Sequence, residues 1–396
     1  MELVDKYVMN TYTRAKVCFV RGEGSRLWDE EGREYVDFLS GIGVCALGHA
    51  NPKVAQAACN QMLKLVHTSN LFYIAPQAEL ARLLVENTFA EKVFFCNSGT
   101  EANEGAVKIA RAWGQKHLKG AHVVLTAYGS FHGRTLAMMS ATGQGKIRAG
   151  FGPAVPGFRH VPFGNPNALE AEILLGDVCA VMLEPIQGEG GVVVPPESYL
   201  KEVREICDRH GLLLILDEVQ SGMGRTGKLL AHEHFGVRPD VVTIAKALAN
   251  GLPAGAILAT QEAAAMLGPG MHASTFGGGP VVMSAAITVI EELLSPGFLE
   301  EVAEKGRYFM DKLSAMAQEV NDKAGKEICR EVRGKGLMVG VELTIDGAVV
   351  VEKMLEKGFV INCTQGNVLR FLPPLVIENQ DIDAMVAALT TVLGGL

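Results

Sequence analysis

The side chains that can do chemistry sit at the ends of apolar runs. LLLILDEVQ (212–220) closes on Asp217 and Glu218, and TIAK (243–246) delivers Lys246 directly off the next apolar run. Open α/β sheets bind ligands outside the carboxyl ends of their strands, so the acids and the amine, 29 positions apart (246 − 217), are able to face one ligand. Each has a plainer reading by itself. The acids cap or solvate a strand end, and the lysine lays its stem along apolar surface with its head in water. Jointly they suit an aldehyde-bearing cofactor with a basic ring. Lysine forms Schiff bases with such carbonyls, and a carboxylate keeps a ring nitrogen cationic so that the ring draws off electrons. Pyridoxal 5′-phosphate (PLP) fits that description, with Lys246 as its amine and Asp217 on its ring nitrogen.

Its phosphate needs a cradle. Asn97-Ser98-Gly99-Thr100-Glu101 lies between an apolar run at 93–96 and a helical pattern at 101–116. A small-residue turn opening a helix offers free N–H groups, hydroxyls and the positive end of a dipole to an anion. Phe131, just after the apolar run 122–127, is placed to stack on a ring or to fill the core. Two rival motifs are weaker. GMGRTGKL (222–229) nearly matches GxxxxGK[ST], but Leu229 has no hydroxyl for Mg²⁺, which counts against a nucleotide hydrolase. His232-Glu233-His234 lacks HExxH spacing and reads as a surface turn, so no metal is expected.

What must position these residues is an alternation of strands and helices. Runs at 93–95, 122–127, 178–183, 212–216, 241–244 and 255–259 read as strands, several apolar throughout as in a parallel sheet covered on both faces. Helical patterns at 101–116 and 197–210, the latter stopped by Gly211, lie between them. This predicts a large three-layer α/β/α domain with a mostly parallel sheet, spanning 50–285. The termini differ. Residues 15–38 read as short antiparallel strands, 336–343 and 368–371 as further strands, and 298–320 and 381–393 as helices, with Asp381 as an N-cap. A small α+β domain from 1–49 and 286–396 follows. The composition is globular, with 48% apolar and 20% charged residues among 396. A net charge of −8 without a Lys/Arg stripe argues against nucleic acid. No apolar run approaches a membrane span, residues 1–10 do not read as a signal peptide, and eight scattered cysteines form no CxxC pair. A cytoplasmic location is expected.

Seven segments taken together resemble class III, ornithine-type aminotransferases: FCNSGTEANE (95–104), SFHGRT (130–135), LEPIQGEGG (183–191), LDEVQSGMGRTG (216–227), TIAKAL (243–248), HASTFGG (272–278) and VLRFLPP (368–374). They occur in the family's order, and the resemblance runs from about Tyr12 to Pro374. It implies the PLP fold-type I architecture and a homodimer with shared active sites. It assigns Lys246 as the Schiff-base lysine and later proton shuttle, and Asp217 to the pyridinium. Val219 would pack on the ring, Gln220 hydrogen-bond its phenolic oxygen, and Glu218 belong to the same cofactor set. Gly99 and Thr100 would hold phosphate, Phe131 stack on the ring, and Thr275 reach the other subunit's phosphate with Ser274 near the substrate.

Substrate roles follow from the same resemblance. Arg134 is the expected fork for a substrate carboxylate, since guanidinium pairs with carboxylates bidentately. Glu189 and Arg370 resemble the family's switch pair: together while a long diamine derivative binds, apart when Arg370 holds glutamate's α-carboxylate. Ile42 stands where ornithine-specific members carry Tyr, which favours N-acetylornithine as donor and 2-oxoglutarate as acceptor. Ornithine, succinylornithine and succinyl-diaminopimelate remain open as donors, and isomerases of the same architecture are the more distant alternative. Tyr12 lies where an aromatic lines the substrate entrance. The chain departs from the pattern at Gly279, where Asn is usual, and at Ala254.

Overall fold

The computed structural model describes residues 1–396. Three strands open the chain, β1 (Phe19–Glu23), β2 (Arg26–Asp29) and β3 (Glu34–Asp37). Seven follow: β4 (Lys92–Cys96), β5 (Val123–Ala127), β6 (Phe158–Val161), β7 (Val178–Leu183), β8 (Leu213–Asp217), β9 (Val241–Ile244) and β10 (Gly255–Ala259). Five close it: β11 (Cys329–Lys335), β12 (Met338–Leu343), β13 (Phe359–Val360), β14 (Asn362–Thr364) and β15 (Val368–Phe371).

The middle seven make one sheet in the order β4-β10-β9-β8-β7-β5-β6. It is parallel except for β10, which runs against both its neighbours. Every residue of β5, β7, β8, β9 and β10 is buried, which is why these strands carry no polar alternation. Successive side chains go to opposite faces. Leu214 and Leu216 join a core with Val203 of the helix Tyr199–His210 and Ile290 of the helix Pro280–Leu293. Leu213 and Ile215 join another with Ala106 and Ile109 of the helix Gly99–His117. The three layers are a consequence of that alternation. Adjacent β8 and β9 then bring Asp217 and the segment leading to Lys246 to the same edge of the sheet.

The terminal segments build two sheets. β1, β2 and β3 pair antiparallel, and β13 adds to β3 in parallel. β11-β12-β15-β14 forms the second, wholly antiparallel sheet. β13 leaves the helix Gly347–Glu356 alongside β3, so a C-terminal strand closes the N-terminal edge. Asp381 is not an N-cap. The last helix, Asn379–Leu393, starts two residues earlier, and Asp381 instead accepts from Arg26 Nη2 at 2.6 Å and Ser25 Oγ at 3.2 Å. No single helix is long and apolar enough to cross a membrane. The stretch 222–227 is a buried turn: a Cβ on Gly227 would lie 2.7 Å from that of Ala303, and the guanidinium of Arg225 donates to Leu337 O at 3.1 Å. That packing leaves no cradle for a nucleotide phosphate.

Candidate active site

A cavity of about 400 Å³ opens at the ends of β8 and β9. Asp217 forms its buried end. Oδ2 accepts from Asn103 Nδ2 at 2.7 Å and meets His132 Nδ1 at 2.8 Å, and Oδ1 accepts from Val219 N at 3.0 Å. Asn103 is itself oriented by the hydroxyl of Thr243, which donates to its Oδ1 at 2.6 Å. Burial opposes a charge on His132, but the hydrogen bond and charge of Asp217 outweigh it and raise its pKa. The Asp217 carboxyl and the His132 imidazole are thus a buried, hydrogen-bonded pair. Asp217 Oδ1 keeps an acceptor site for one further donor.

Lys246 lines the same cavity. Burial, with the positive charge of Arg370 nearby, pushes its ammonium down to about 8, and no hydrogen bond opposes that shift. Its backbone has φ 44°, a left-handed conformation rare outside glycine. Such strain persists only where the surroundings over-determine it, and it concentrates at functional sites.

Gly99 and Thr100 open the helix Gly99–His117, with Ser98 as its N-cap. Ser98 Oγ caps only Glu101 N, and the N–H groups of Gly99 and Thr100 have no partner within the chain, as is usual at a helix start. A Cβ on Gly99 would lie 2.7 Å from Val219 Cγ1, and one on Gly133 2.2 Å from Thr100 Oγ1. The cradle is therefore tight enough to require glycine at both positions. These residues fit PLP: a carboxylate with a spare acceptor at one end, an unpaired amine of lowered pKa, and a helix start for the phosphate.

Two guanidinium groups stand at the remaining wall. Arg134 is exposed at the mouth, 5.4 Å over the ring of Phe131, and pairs with no carboxylate. Arg370 is buried, and its Nη1 donates to Glu189 Oε1 at 2.7 Å and to Gln220 Oε1 at 3.3 Å. Burial works against the charge of Glu189, but Arg370 more than offsets it and holds the carboxyl below its usual range. Glu184 accepts from Phe131 N at 3.1 Å and from Gly188 N at 3.0 Å, and burial raises it to about 7.

Of the residues singled out in the sequence, Lys246, Asp217, Gly99, Thr100, Phe131, Val219, Gln220, Arg134 and Glu189 line this one cavity, and Arg370 touches two of them. Glu218 does not belong with them. Consecutive side chains in a strand point to opposite faces, and its carboxylate turns away to accept from His232 N at 2.9 Å and to meet His232 Nδ1 at 2.7 Å. Ser274 and Thr275 lie outside this cavity. Ser274 Oγ accepts from Asn97 Nδ2 at 3.2 Å, and Thr275 is exposed. Ile42 is in a left-handed turn (φ 66°) whose next-but-one residue, Val44, does line the cavity. Tyr12 is exposed. His132, Asn103 and Glu184 were not foreseen. His132 and Asn103 fall inside motifs already quoted, but nothing in their type or spacing ties them to Asp217. No group of three His, Cys, Asp or Glu side chains could hold a metal ion.

The family model for class-III aminotransferases matches residues 7–393. The chain is 48% identical to the acetylornithine aminotransferase of Methanocaldococcus jannaschii, covering 99% of this chain and 97% of that one. It is also 48% identical to that of Caldanaerobacter subterraneus, over 98% and 97%. Among solved structures, the N-acetylornithine aminotransferase of Stenotrophomonas maltophilia superposes with a TM-score of 0.84 at 38% identity, over 100% and 98%. The ornithine aminotransferase of Toxoplasma gondii, which holds PLP at partial occupancy in its active site, gives 0.94 at 34%, over 100% and 93%.

Proposed function

The chain belongs to the class-III aminotransferases, and we propose that it transfers the 5-amino group of N2-acetyl-L-ornithine to 2-oxoglutarate, yielding N-acetyl-L-glutamate 5-semialdehyde and L-glutamate in arginine biosynthesis. The observation that carries this reading is a pair of unlike arginines at one cavity: Arg134 open and unpaired, Arg370 buried against Glu189. One arginine suffices for a single substrate. A second that can be covered suits an enzyme that must bind both a donor reacting far from its carboxylate and an acceptor reacting beside one.

PLP supplies an electron-withdrawing ring that stabilises negative charge at the reacting carbon. Lys246 holds the cofactor through its amine and then moves the proton at that carbon. Asp217 keeps the ring nitrogen protonated, with His132 and Asn103 fixing its carboxylate. Phe131 walls the ring, and Glu184 anchors the Phe131 backbone. Arg134 takes the donor's carboxylate while Glu189 covers Arg370. When glutamate or 2-oxoglutarate binds, Glu189 withdraws and Arg370 holds the carboxylate next to the reacting centre. The apolar Val44 beside Ile42 favours an acylated α-amine over a charged one. The decisive measurement follows conversion of bound PLP to its amine form with each donor separately. N-acetylornithine should react at least about tenfold faster than ornithine, within the discrimination that pocket contacts supply. Faster turnover of free ornithine would overturn the donor assignment.

We also take the protein to be a cytoplasmic homodimer, with a large domain at 50–285 and a small one at 1–49 and 286–396. Leu63, Leu71, Phe72, Tyr73 and Phe276 are each at least two-thirds exposed, around the loop that carries Ser274 and Thr275. An apolar patch of that kind marks an interface, and a second copy seated there would bring Thr275 toward the opposite cavity. Light scattering should give twice the chain mass; a fully active monomer would sink the shared-site reading.

A further inference from the structure

Arg370 is held by a residue that no motif singled out. Asn362 in β14 is the direct cross-strand partner of Arg370 in β15, so the two side chains stand together on one face. Asn362 Oδ1 accepts from Arg370 Nε at 3.2 Å and from Nη2 at 2.7 Å. Those two donors are one edge of the guanidinium fork. The other edge carries Nη1, which meets Glu189 and Gln220. Arginine has donors only, so the atom facing it must be the amide oxygen of Asn362.

The same face of β14 also grips the partner acid. Thr364, two residues on, donates through Oγ1 to the backbone carbonyl of Glu189 at 2.6 Å, and Gln365 Nε2 donates to the same carbonyl. Arg333 Nε and Nη2 brace the next turn by donating to Gly191 O at 3.0 and 2.9 Å. The backbone of Glu189 is therefore fixed, while its side chain is 30% exposed against 2% for that of Arg370. Any movement of the pair falls on the carboxylate arm of Glu189.

We propose that Asn362 is the positioning residue of the carboxylate switch, pinning one edge of Arg370 so that the other stays aimed at the cavity whether Glu189 or a substrate carboxylate occupies it. This rests on the switch read above for Glu189 and Arg370. A neutral amide suits the task because it fixes the guanidinium plane without cancelling its charge. A carboxylate at 362 would accept the same two donors but form a permanent ion pair, leaving less attraction for either Glu189 or substrate. Withdrawal of Glu189 then exposes a preoriented Nη1–Nη2 edge, the bidentate geometry a carboxylate prefers.

The test uses the PLP-loaded enzyme and measures the two half-reactions separately for Asn362→Ala, Asn362→Asp and Arg370→Ala. Asn362→Ala frees the guanidinium plane and should raise the KM for glutamate about tenfold or more, the scale of lost hydrogen bonds to a charged group. The N-acetylornithine half-reaction should change less than about threefold, and kcat for glutamate should fall less than its KM rises. Asn362→Asp discriminates between positioning and mere structure. It restores both hydrogen bonds, so a purely structural role predicts a wild-type KM, whereas the proposal predicts a glutamate KM raised at least as much as in the alanine variant. A wild-type glutamate KM in either variant, with Arg370→Ala still selectively impaired toward glutamate, overturns the role of Asn362 and leaves the switch standing. Equal losses in both half-reactions for Arg370→Ala overturn the switch itself, and the role of Asn362 with it.

Discussion

Lys246→Ala should reduce transamination by about four orders of magnitude or more, the combined scale of losing a covalent anchor and a proton-transfer group, while the fold survives. The side chain lines a cavity and makes no hydrogen bond, so removing it leaves no buried partner stranded. The positive φ at this position is already strained for lysine and is no worse for alanine. The lowered pKa sharpens the expectation for the wild-type chain. With the ammonium at about 8, about one molecule in ten carries a neutral amine at pH 7, against about one in three thousand at the ordinary lysine value. Only the neutral amine attacks an aldehyde. Recombination of the apoprotein with PLP should therefore accelerate as pH rises and level off above about 8, not near 10.5. The variant should bind PLP without the visible absorption of a lysine-linked cofactor, and borohydride should fix nothing at position 246. Turnover within a hundredfold of wild type would remove Lys246 from the mechanism.

The central sheet was legible because its strands are buried on both faces and so read as unbroken apolar runs. β7, β9 and β10 have the bounds their residues predict. β6 was not legible: its four residues, Phe-Arg-His-Val, occupy the sheet edge and are mostly half-buried, with no run to mark them. The helix Pro280–Leu293 was missed for the opposite reason. It packs among the helices Pro52–Met62, Ala75–Glu86 and Phe298–Ala324, so apolar residues surround it and the one-sided stripe of a surface helix never appears. β13 is two residues long and takes its place from β3, more than 300 positions away; no local pattern encodes such a pairing.

The site was legible where chemistry demands a residue type and opaque where it demands only a partner. Lysine, aspartate, the glycine turn and the two arginines are required by what they bind, and each stands out at a strand end or helix start. His132, Asn103, Glu184 and Asn362 serve those residues, and any donor or acceptor of the right reach could do the same, so their types carry no signal. Glu218 shows the converse error. It shares a strand end with Asp217 and has the right chemistry, yet the two-residue period of a strand sends it to the other face, where it holds the turn at Ala231 and His232.

That contrast gives the second large effect. Asp217→Asn should lower kcat by about 10²–10³, the usual cost of deleting one preorganised electrostatic contact, with PLP still bound through the helix start and Lys246. The reason lies in the donors already facing this carboxylate. Asn103 Nδ2 and His132 Nδ1 both address Oδ2, so an amide here turns its oxygen toward them and its NH₂ toward Val219 N and the ring nitrogen. An NH₂ group cannot accept the ring's N–H⁺, so the nitrogen loses its proton and the ring much of its pull on electrons. The pKa of His132, which burial lowers and the hydrogen bond and charge of Asp217 raise, should fall in the same variant. Its imidazole resonance should then titrate at lower pH than in the wild-type enzyme, a readout independent of turnover. Glu218→Gln, one residue on, should behave the other way: stability falls because the backbone N–H groups of Ala231 and His232 lose a charged acceptor, while kcat stays within about threefold of wild type. An Asp217→Asn enzyme retaining more than a tenth of wild-type kcat, or a Glu218→Gln enzyme as impaired as it, would mean that the ring nitrogen is held by some other group.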